Sequence, residues 1–291
     1  QIRRGQRPSL AAGDTVISND PFHGGTHLPD ITAITPCFVE GDPEPFAFVA
    51  CRGHHADVGG QTPGSMPPFS SSIEQEGLLV RNHWLTAGGK PDRSGWNQRL
   101  QGLSSAPRDP ELLWADLQAQ AAANHLGVEL LDRLLELEGH QRVQRYLQHV
   151  QDHAADTVRR LIRRFKDRSF EVELDNGATL KLALKVDRER QQAVLDFSGT
   201  SAQGRHNFHA PLAVTKAAVL YVIRCLVEEP IPLNAGCFRP LTLIVPKDSL
   251  LNPSEPAAVV GGNVETSQAL CNLLFASLGV MAAAQGTMNN L

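Results

Sequence analysis

Residues 19–30 read NDPFHGGTHLPD, and residues 52–60 read RGHHADVGG. Glycine, proline and aspartate crowd both segments, a composition that is typical of turns. Each segment contains a His-x-x-Asp repeat, formed by His27 and Asp30 in the first and by His54 and Asp57 in the second. Repeated pairs of potential ligands in two turns predict one shared polar site.

The runs around these turns predict the sheet that supports them. Residues 14–18, 31–39 and 46–51 are β-branched or aromatic and are bounded by Gly, Pro or Asp, as strands usually are. Loops on a rigid sheet commonly carry binding groups. The residues of the predicted site therefore fall at strand ends or on loops supported by this sheet.

Changes in hydrophobic period predict three regions along the chain. Residues 1–108 form a β-rich region with the metal site, 109–168 a helical segment, and 169–291 a β-meander followed by buried helices. The predicted fold class is α+β, with mixed or antiparallel sheets carrying a loop-built metal site and a helical insert.

Helix signals define the finer boundaries. Asp109 before a proline predicts the start of a helix, which we expect to be interrupted at Gly127. Apolar spacing predicts further helices from about 141 to 166 and over 265–284. Residues 73–108 show no firm period and are predicted to be irregular.

Composition excludes several classes of function. A net charge of -4 and a pI near 6.3 provide no basic surface for nucleic acid. No apolar run is long enough to span a membrane. Five cysteines without a CxxC pair indicate reduced thiols and a cytoplasmic location.

The first residue is not Met, and the last residues keep a helical apolar pattern, so we expect the chain to be truncated at both ends.

Two imidazoles and a carboxylate form a common catalytic metal site, because three protein ligands leave positions for water and substrate. We predict His27, Asp30 and His54 as the ligands. Asp57 is either a fourth ligand or a hydrogen-bond acceptor for a ligand histidine. Turn formation and ordinary hydrogen bonding are the alternative explanation for each residue alone. The clustering of four of the 11 histidines between positions 23 and 55 favours the metal site.

Several long motifs resemble the hydantoinase B family. They are GDTVISNDP at 13–21, GGTHLPD at 24–30, RGHHADVGG at 52–60, PGSMPP at 63–68, DFSGT at 196–200, NAG at 234–236, GGNVETS at 261–267 and QGTMNN at 285–290. Within the family, the sequence of residues 52–68 is most similar to the carboxyl-terminal half of ATP-dependent 5-oxoprolinase. The resemblance implies the same three metal ligands, here His27, Asp30 and His54.

The resemblance also implies an activity. It is the metal-dependent hydrolysis of a cyclic amide within an ATP-dependent enzyme, with 5-oxo-L-proline converted to L-glutamate as the leading reaction. The implied cofactor is a divalent metal, Mn²⁺ or Zn²⁺. The implied partner is a hydantoinase A-like half, fused or separate, that uses ATP, in a homo-oligomeric full protein. This chain has no P-loop motif of its own. An N-methylhydantoinase-type or carboxylase-type subunit is the alternative within the family.

Other roles are assigned as expectations. We expect Asp57 or His55 to transfer the proton in the hydrolytic step. We expect Arg52 to pair with the substrate carboxylate, unless Arg52 forms a structural ion pair instead. Gly60 and Ser65 lie in a glycine-rich loop whose backbone N–H groups suit an oxyanion, although turn formation alone also explains the glycines.

Two other function classes remain open. Two histidines and a carboxylate also suit a non-haem iron oxygenase. The third class is a non-catalytic scaffold with a structural ion, docking the half that uses ATP.

Overall fold

A computed structural model describes residues 10–279 of the chain. The chain folds into two compact units, Gln1–His140 and Gln141–Leu291. The boundary divides the predicted helical segment, 109–168, between them. The predicted α+β class, with antiparallel and mixed sheets, is confirmed.

The first unit is built on a five-stranded antiparallel sheet. Its strands are β1 Thr15–Ser18, β2 Asp30–Phe38, β3 Pro45–His54, β4 His83–Ala87 and β5 Lys90–Pro91. They lie in the order β3-β2-β1-β4-β5. The strands predicted at 14–18, 31–39 and 46–51 are confirmed as β1, β2 and β3. The turns before β2 and after β3 meet at one end of the sheet, because these two strands are antiparallel neighbours.

One face of this sheet is covered by helix α2, Pro110–Glu138. The predicted start is confirmed, since the Asp109 side chain accepts a hydrogen bond from a backbone N–H of the first turn. The predicted interruption at Gly127 is wrong. A Cβ atom at this position would lie 2.7 Å from the Val49 side chain on β3, so the glycine allows the helix to continue in close contact with the sheet.

The prediction that 73–108 is irregular is also wrong. This segment contributes β4, β5 and a short helix, α1, at Arg93–Gln101. Asp92 caps the helix through the N–H of Gly95, and Trp96 is completely buried. A strand of five residues and a helix of two and a half turns are too short for periodicity to reveal, and burial of one large side chain holds the helix in place.

The second unit packs helices on a four-stranded sheet. Its elements are α3 His140–Ile162, β6 Arg168–Glu173, β7 Thr179–Asp187, β8 Gln192–Asp196, α4 Leu212–Leu226, β9 Leu241–Ile244 and α5 Ser267–Leu278. The sheet order is β6-β7-β8-β9, and β9 pairs parallel to β8. The predicted meander is thus confirmed for β6 to β8. The core lies between this sheet and the three helices.

Helix α3 buries only part of its predicted apolar face. Val158 and Ile162 are fully buried near its end, whereas Tyr146, Leu147 and Val150 are exposed. Helix α5 begins after a π-helical turn, Gly262–Thr266. Residues 280–284 of the predicted last helix and the motif at 285–290 lie outside the described residues.

None of the helices between residues 10 and 279 combines the length and the apolar character needed to cross a bilayer.

The second unit also contains a buried histidine with both ring nitrogens in use. His209 is 0% exposed, its Nδ1 lies 2.7 Å from the carbonyl oxygen of Ala258, and its Nε2 accepts a hydrogen bond from the backbone N–H of Gly204. A carbonyl can only accept, so Nδ1 carries the proton and the ring is neutral. Protonation of Nε2 would place one N–H against another.

We therefore expect the free energy of unfolding to depend on pH through His209. Burial lowers the pKa of this ring to about 4, whereas the unfolded ring titrates near 6.5. The neutral ring's contribution to the free energy of unfolding is complete above about pH 6.5. This contribution, on the order of 3 kcal/mol, is lost as the pH falls to about 4. Chemical unfolding followed between pH 7 and 4 measures it. A His209→Gln variant, which keeps a donor and an acceptor, should lack this part of the pH dependence. An unchanged pH dependence in the variant would contradict the assignment.

Candidate metal centre

The ends of β2 and β3 bring the first two candidate ligands together. Asp30 begins β2 and His54 ends β3, and the strand register pairs their Cα atoms directly. His27 lies in the preceding turn, where its carbonyl accepts the backbone N–H of Asp30 at 3.1 Å. Sheet register and a tight turn therefore bring all three side chains to one place.

The distances within this cluster are short. Nδ1 of His27 lies 3.0 Å from Oδ2 of Asp30, and Nδ1 of His54 lies 3.0 Å from Oδ1. The two imidazole rings are 5.1 Å apart between centroids. One ligand atom from each of the three residues lies within 4.8 Å of the others, a group that could hold a metal ion. The cluster is open on one side, since the His27 side chain is 4% exposed and that of His54 is 59% exposed.

The Asp30 carboxylate is held in its ionised form. Burial by itself raises the pKa of Asp30, but the neighbouring His27 ring and hydrogen bonds from Thr26 and His54 outweigh it and hold the pKa far below the usual range. The Thr26 hydroxyl donates to Oδ2 at 2.7 Å. A carboxylate that stays charged near two imidazoles is the protonation state a cation needs.

A buried nitrogen tests whether the cluster fits a metal. Nδ1 of His27 is buried without a hydrogen-bond partner, although it lies 3.0 Å from the Asp30 carboxylate. The distance permits a hydrogen bond but the alignment does not. Buried polar atoms are normally satisfied, so an unpaired nitrogen beside a charged oxygen favours a shared cation. The chemistry of the donor set, two imidazoles and one carboxylate, agrees with zinc or manganese.

The turn that carries His27 is fixed by Asn19, which the sequence alone did not single out. Asn19 is 0% exposed, and its side-chain nitrogen donates to the carbonyls of Leu28 and Leu78 at 2.7 and 2.8 Å. Its side-chain oxygen accepts from Val80 N–H at 2.7 Å. One amide therefore joins the ligand turn to a segment some 60 residues further along the chain. The sequence signal was an asparagine directly after a strand, which also suits an ordinary turn.

Thr26 was also missed, although its position four residues before Asp30 in a tight turn was a usable signal.

Arg52, predicted to pair with the substrate carboxylate, lies near the end of β3. It precedes His54 by two residues on β3, and alternation along a strand places both side chains on the same face. Its Nε donates to the Thr32 hydroxyl at 2.8 Å, while one terminal nitrogen lies 3.5 Å from the Gly24 carbonyl. The guanidinium is thus anchored at one end and exposed at the other.

The structure does not bring Asp57 into the cluster. Its carboxylate accepts hydrogen bonds from the backbone N–H groups of Gly59, Gly64 and Arg108 and from the Arg108 guanidinium, at 2.8 to 3.1 Å. Burial raises the pKa of Asp57, but these donors outweigh it and lower the pKa. Among the residues that the structure describes, all its hydrogen bonds hold the loop, so neither the ligand role nor the acceptor role toward a ligand histidine is supported.

An Asp57→Asn variant should separate these roles. We expect the free energy of unfolding to fall by about 1 to 3 kcal/mol, because the charge-assisted bonds to the loop and Arg108 are weakened. Metal affinity should change less than about twofold. Chemical unfolding and metal titration measure the two effects. Asp42→Asn, which alters an exposed turn aspartate, is the control and should leave both unchanged. A large loss of metal affinity in Asp57→Asn would return this residue to the site.

Gly60 and Ser65, also predicted to bind substrate, are used inside the same loop. The N–H of Gly60 donates to the Ser105 carbonyl, and a Cβ atom there would lie 2.7 Å from the backbone of Glu76. The Ser65 hydroxyl is completely buried and donates to the Gly59 carbonyl at 2.6 Å. These groups shape the loop, and the polar groups named for substrate are already occupied.

His55 faces the opposite side of the sheet from His54. It is 3% exposed, its Nε2 lies 3.1 Å from Oε1 of Gln120 on α2, and its Nδ1 lies 3.8 Å from the Asp116 carboxylate. Burial lowers its pKa, outweighing the opposing effects of Gln120 and Asp116. Strand alternation explains the separation, because consecutive residues at the end of β3 point to opposite faces. The predicted proton transfer by His55 is thus not supported by its position.

A family model described as hydantoinase B/oxoprolinase matches residues 1–291. The chain is 41% identical to 5-oxoprolinase 1 of Arabidopsis thaliana over 97% of its own length and 24% of that protein's. It is 39% identical to 5-oxoprolinase of Dictyostelium discoideum over 96% and 22%. The chain thus spans about a quarter of the length of these relatives.

A solved structure shows the same fold. An ATP-dependent caprolactamase from Pseudomonas jessenii superposes with a TM-score of 0.78 at 24% identity, over 92% of this chain and 47% of that one.

Proposed function

The chain belongs to the hydantoinase B/oxoprolinase family, and we propose on that premise that it forms the hydrolytic part of an ATP-dependent enzyme that opens cyclic amides. The leading substrate is 5-oxo-L-proline, with L-glutamate as product. The names of the matched relatives support this reaction, and the fold shared with a caprolactamase agrees with cyclic-amide chemistry.

One observation supports the proposal most strongly: His27, Asp30 and His54 converge at the ends of two paired strands. His27 and Asp30 form the buried side of the centre and His54 the exposed side, so substrate approaches from the His54 side. Manganese or zinc is the proposed ion. When bound, such an ion supplies a Lewis acid for chemistry at a carbonyl group. Thr26 keeps the Asp30 carboxylate oriented toward the two rings.

Arg52 gives the site its preference for an anionic substrate in this proposal. Its guanidinium lies on the same face of β3 as His54 and is exposed. An arginine forms charge-assisted, two-pronged hydrogen bonds with a carboxylate. The 5-oxoproline ring carries one carboxylate, whereas caprolactam has none, so this contact favours the former.

ATP is used outside these residues in the proposed enzyme. The chain has no P-loop sequence, and it covers only 24% and 22% of the two oxoprolinases. The proposed partner is a hydantoinase A-like half, fused or separate, that activates the amide with ATP in a homo-oligomeric protein. The five cysteines are unpaired, which supports the proposed cytoplasmic location.

The test is a screen of 5-oxoproline, hydantoin and caprolactam with ATP on the complete protein, measuring phosphate release and ring opening together. We expect coupled release with 5-oxoproline. An Arg52→Gln variant should raise KM for 5-oxoproline by about 10- to 100-fold and leave any turnover of caprolactam unchanged. Ring opening that requires oxygen, or no coupled release with any of the three compounds, would contradict the proposal.

A further inference from the structure

Gln120 lies directly behind two of the proposed ligands, on the opposite face of the sheet. It is a buried residue of α2, 9% exposed, and it uses both ends of its side-chain amide. The nitrogen donates to the Ile31 carbonyl at 3.0 Å, and the oxygen lies 3.1 Å from Nε2 of His55. Ile31 follows Asp30, and His55 follows His54. One amide therefore connects the two chain segments that carry these ligands.

The chemistry of the partners fixes the direction of both hydrogen bonds. The Ile31 carbonyl can only accept, so the amide nitrogen must face it and the amide oxygen must face His55. Nε2 of His55 is then the donor, and the ring carries its proton there. Neither contact can be exchanged without leaving a buried polar group unsatisfied.

Gly53 provides the space for this contact. It pairs with Ile31 in the strand register, between Arg52 and His54. A Cβ atom at Gly53 would lie 3.1 Å from the Gln120 side-chain nitrogen and 3.3 Å from its amide carbon. Any other residue would press on the amide, so the glycine and the glutamine fit each other.

A second polar residue of α2 shows what distinguishes Gln120. Asn124, one turn later, is also buried and donates to the Ala33 carbonyl at 3.0 Å and to the Thr35 hydroxyl at 3.2 Å. These contacts lie three and five residues along β2 from Asp30. Asn124 joins the same helix to the same strand, but it does so away from the ligands and does not reach β3.

We propose that Gln120 is a positioning residue for the metal centre, which holds Asp30 and His54 in register by connecting the ends of β2 and β3. This inference rests on the proposed metal-binding function. The side chain touches no ligand and no substrate. It acts through the backbone of Ile31 and the ring of His55, alongside the backbone hydrogen bond from the His55 N–H to the Pro29 carbonyl at 2.9 Å.

The test compares Gln120→Leu with Asn124→Leu in the complete protein, using Mn²⁺ alone as the probe. The Kd is measured by equilibrium titration, and the linewidth of the bound-ion EPR spectrum reports how uniform the site is. We expect Gln120→Leu to raise Kd about tenfold, near the lower end of effects seen when partners outside the ligand set are removed, and to broaden the spectrum. Asn124→Leu should change Kd less than about threefold. The midpoint temperature of thermal unfolding without metal should fall in both variants.

A milder variant covers the case in which Gln120→Leu does not fold. Gln120→Asn is too short to reach both partners and should also raise Kd. Equal Kd values for wild type and the folded Gln120 variants, or an equal rise in Asn124→Leu, would overturn the inference.

A His27→Ala variant separates this outcome from failure of the proposed function. If wild type binds Mn²⁺ and His27→Ala does not, while the Gln120 variants bind normally, only the positioning role fails. If His27→Ala binds as wild type does, or wild type binds no ion, both proposals fall together.

Discussion

Replacing His27 with alanine is expected to abolish stoichiometric binding of Mn²⁺ or Zn²⁺, raising Kd by more than about 100-fold. His27 supplies one of three proposed ligand groups and is 3% exposed, so water replaces its nitrogen poorly at this depth. Asp30→Asn should have a similar effect, because it keeps the shape of the side chain and removes the charge. Equilibrium dialysis followed by elemental analysis measures both.

His23→Ala is the matched control for this experiment. His23 lies in the same turn, but its ring pairs with Asp20 at 2.7 Å and its side chain is 53% exposed. The His23→Ala variant should bind metal as the wild type does. Normal binding by His27→Ala, or an equal loss in His23→Ala, would show that the three residues do not form the site.

Replacing Asn19 with leucine is expected to give the largest loss of stability that we predict, about 3 to 5 kcal/mol in the free energy of unfolding. The substitution leaves the Leu28 and Leu78 carbonyls and the Val80 N–H buried without partners. Chemical unfolding of the metal-free chain measures the effect. Asn19→Asp, which keeps the acceptor for Val80 but loses the donor, should fall between.

Ser18→Ala is the control in this case. Its partly buried hydroxyl donates to the Val80 carbonyl at 3.2 Å and accepts a long hydrogen bond from the Asp20 N–H at 3.4 Å. The loss should stay below about 1 kcal/mol. Similar losses in Asn19→Leu and Ser18→Ala would show that Asn19 does not hold the turn.

Local pattern predicted much of the fold, because the relevant signals are short-range. β-branched runs identified β1 to β3, and the capping aspartate before Pro110 identified the start of α2. The helix through Gly127 was missed because its reason is a contact with Val49, nearly 80 residues earlier. A helix breaker in sequence is a close-packing residue in the structure.

The two His-x-x-Asp repeats show the same limit at the site. Sequence spacing predicted that His27, Asp30 and His54 share a site, and they do lie together, while the bound metal stays a prediction. The repeats nevertheless differ in structure. Asp30 starts a strand, whereas Asp57 lies beyond the end of one and meets Arg108, which comes 51 residues later. No pattern within the repeat shows that contact.

Long-range polar contacts explain the remaining omissions. Gln120 sits on the apolar stripe of α2 with Leu117 and Ala121, and a polar residue on such a stripe is a signal that something across from it needs a partner. What it contacts depends on the register of β2 and β3, which the sequence of α2 does not contain.

The central claim is that His27, Asp30 and His54 hold one divalent ion, and anomalous X-ray scattering tests it most directly. Crystals of the chain grown with Mn²⁺ would be measured near the manganese absorption edge. We predict a single strong anomalous peak at about 2.0 to 2.3 Å from one nitrogen of each histidine and an oxygen of Asp30. A map without a peak among these three side chains would contradict the account, whether Mn²⁺ is bound at another place or is not bound at all.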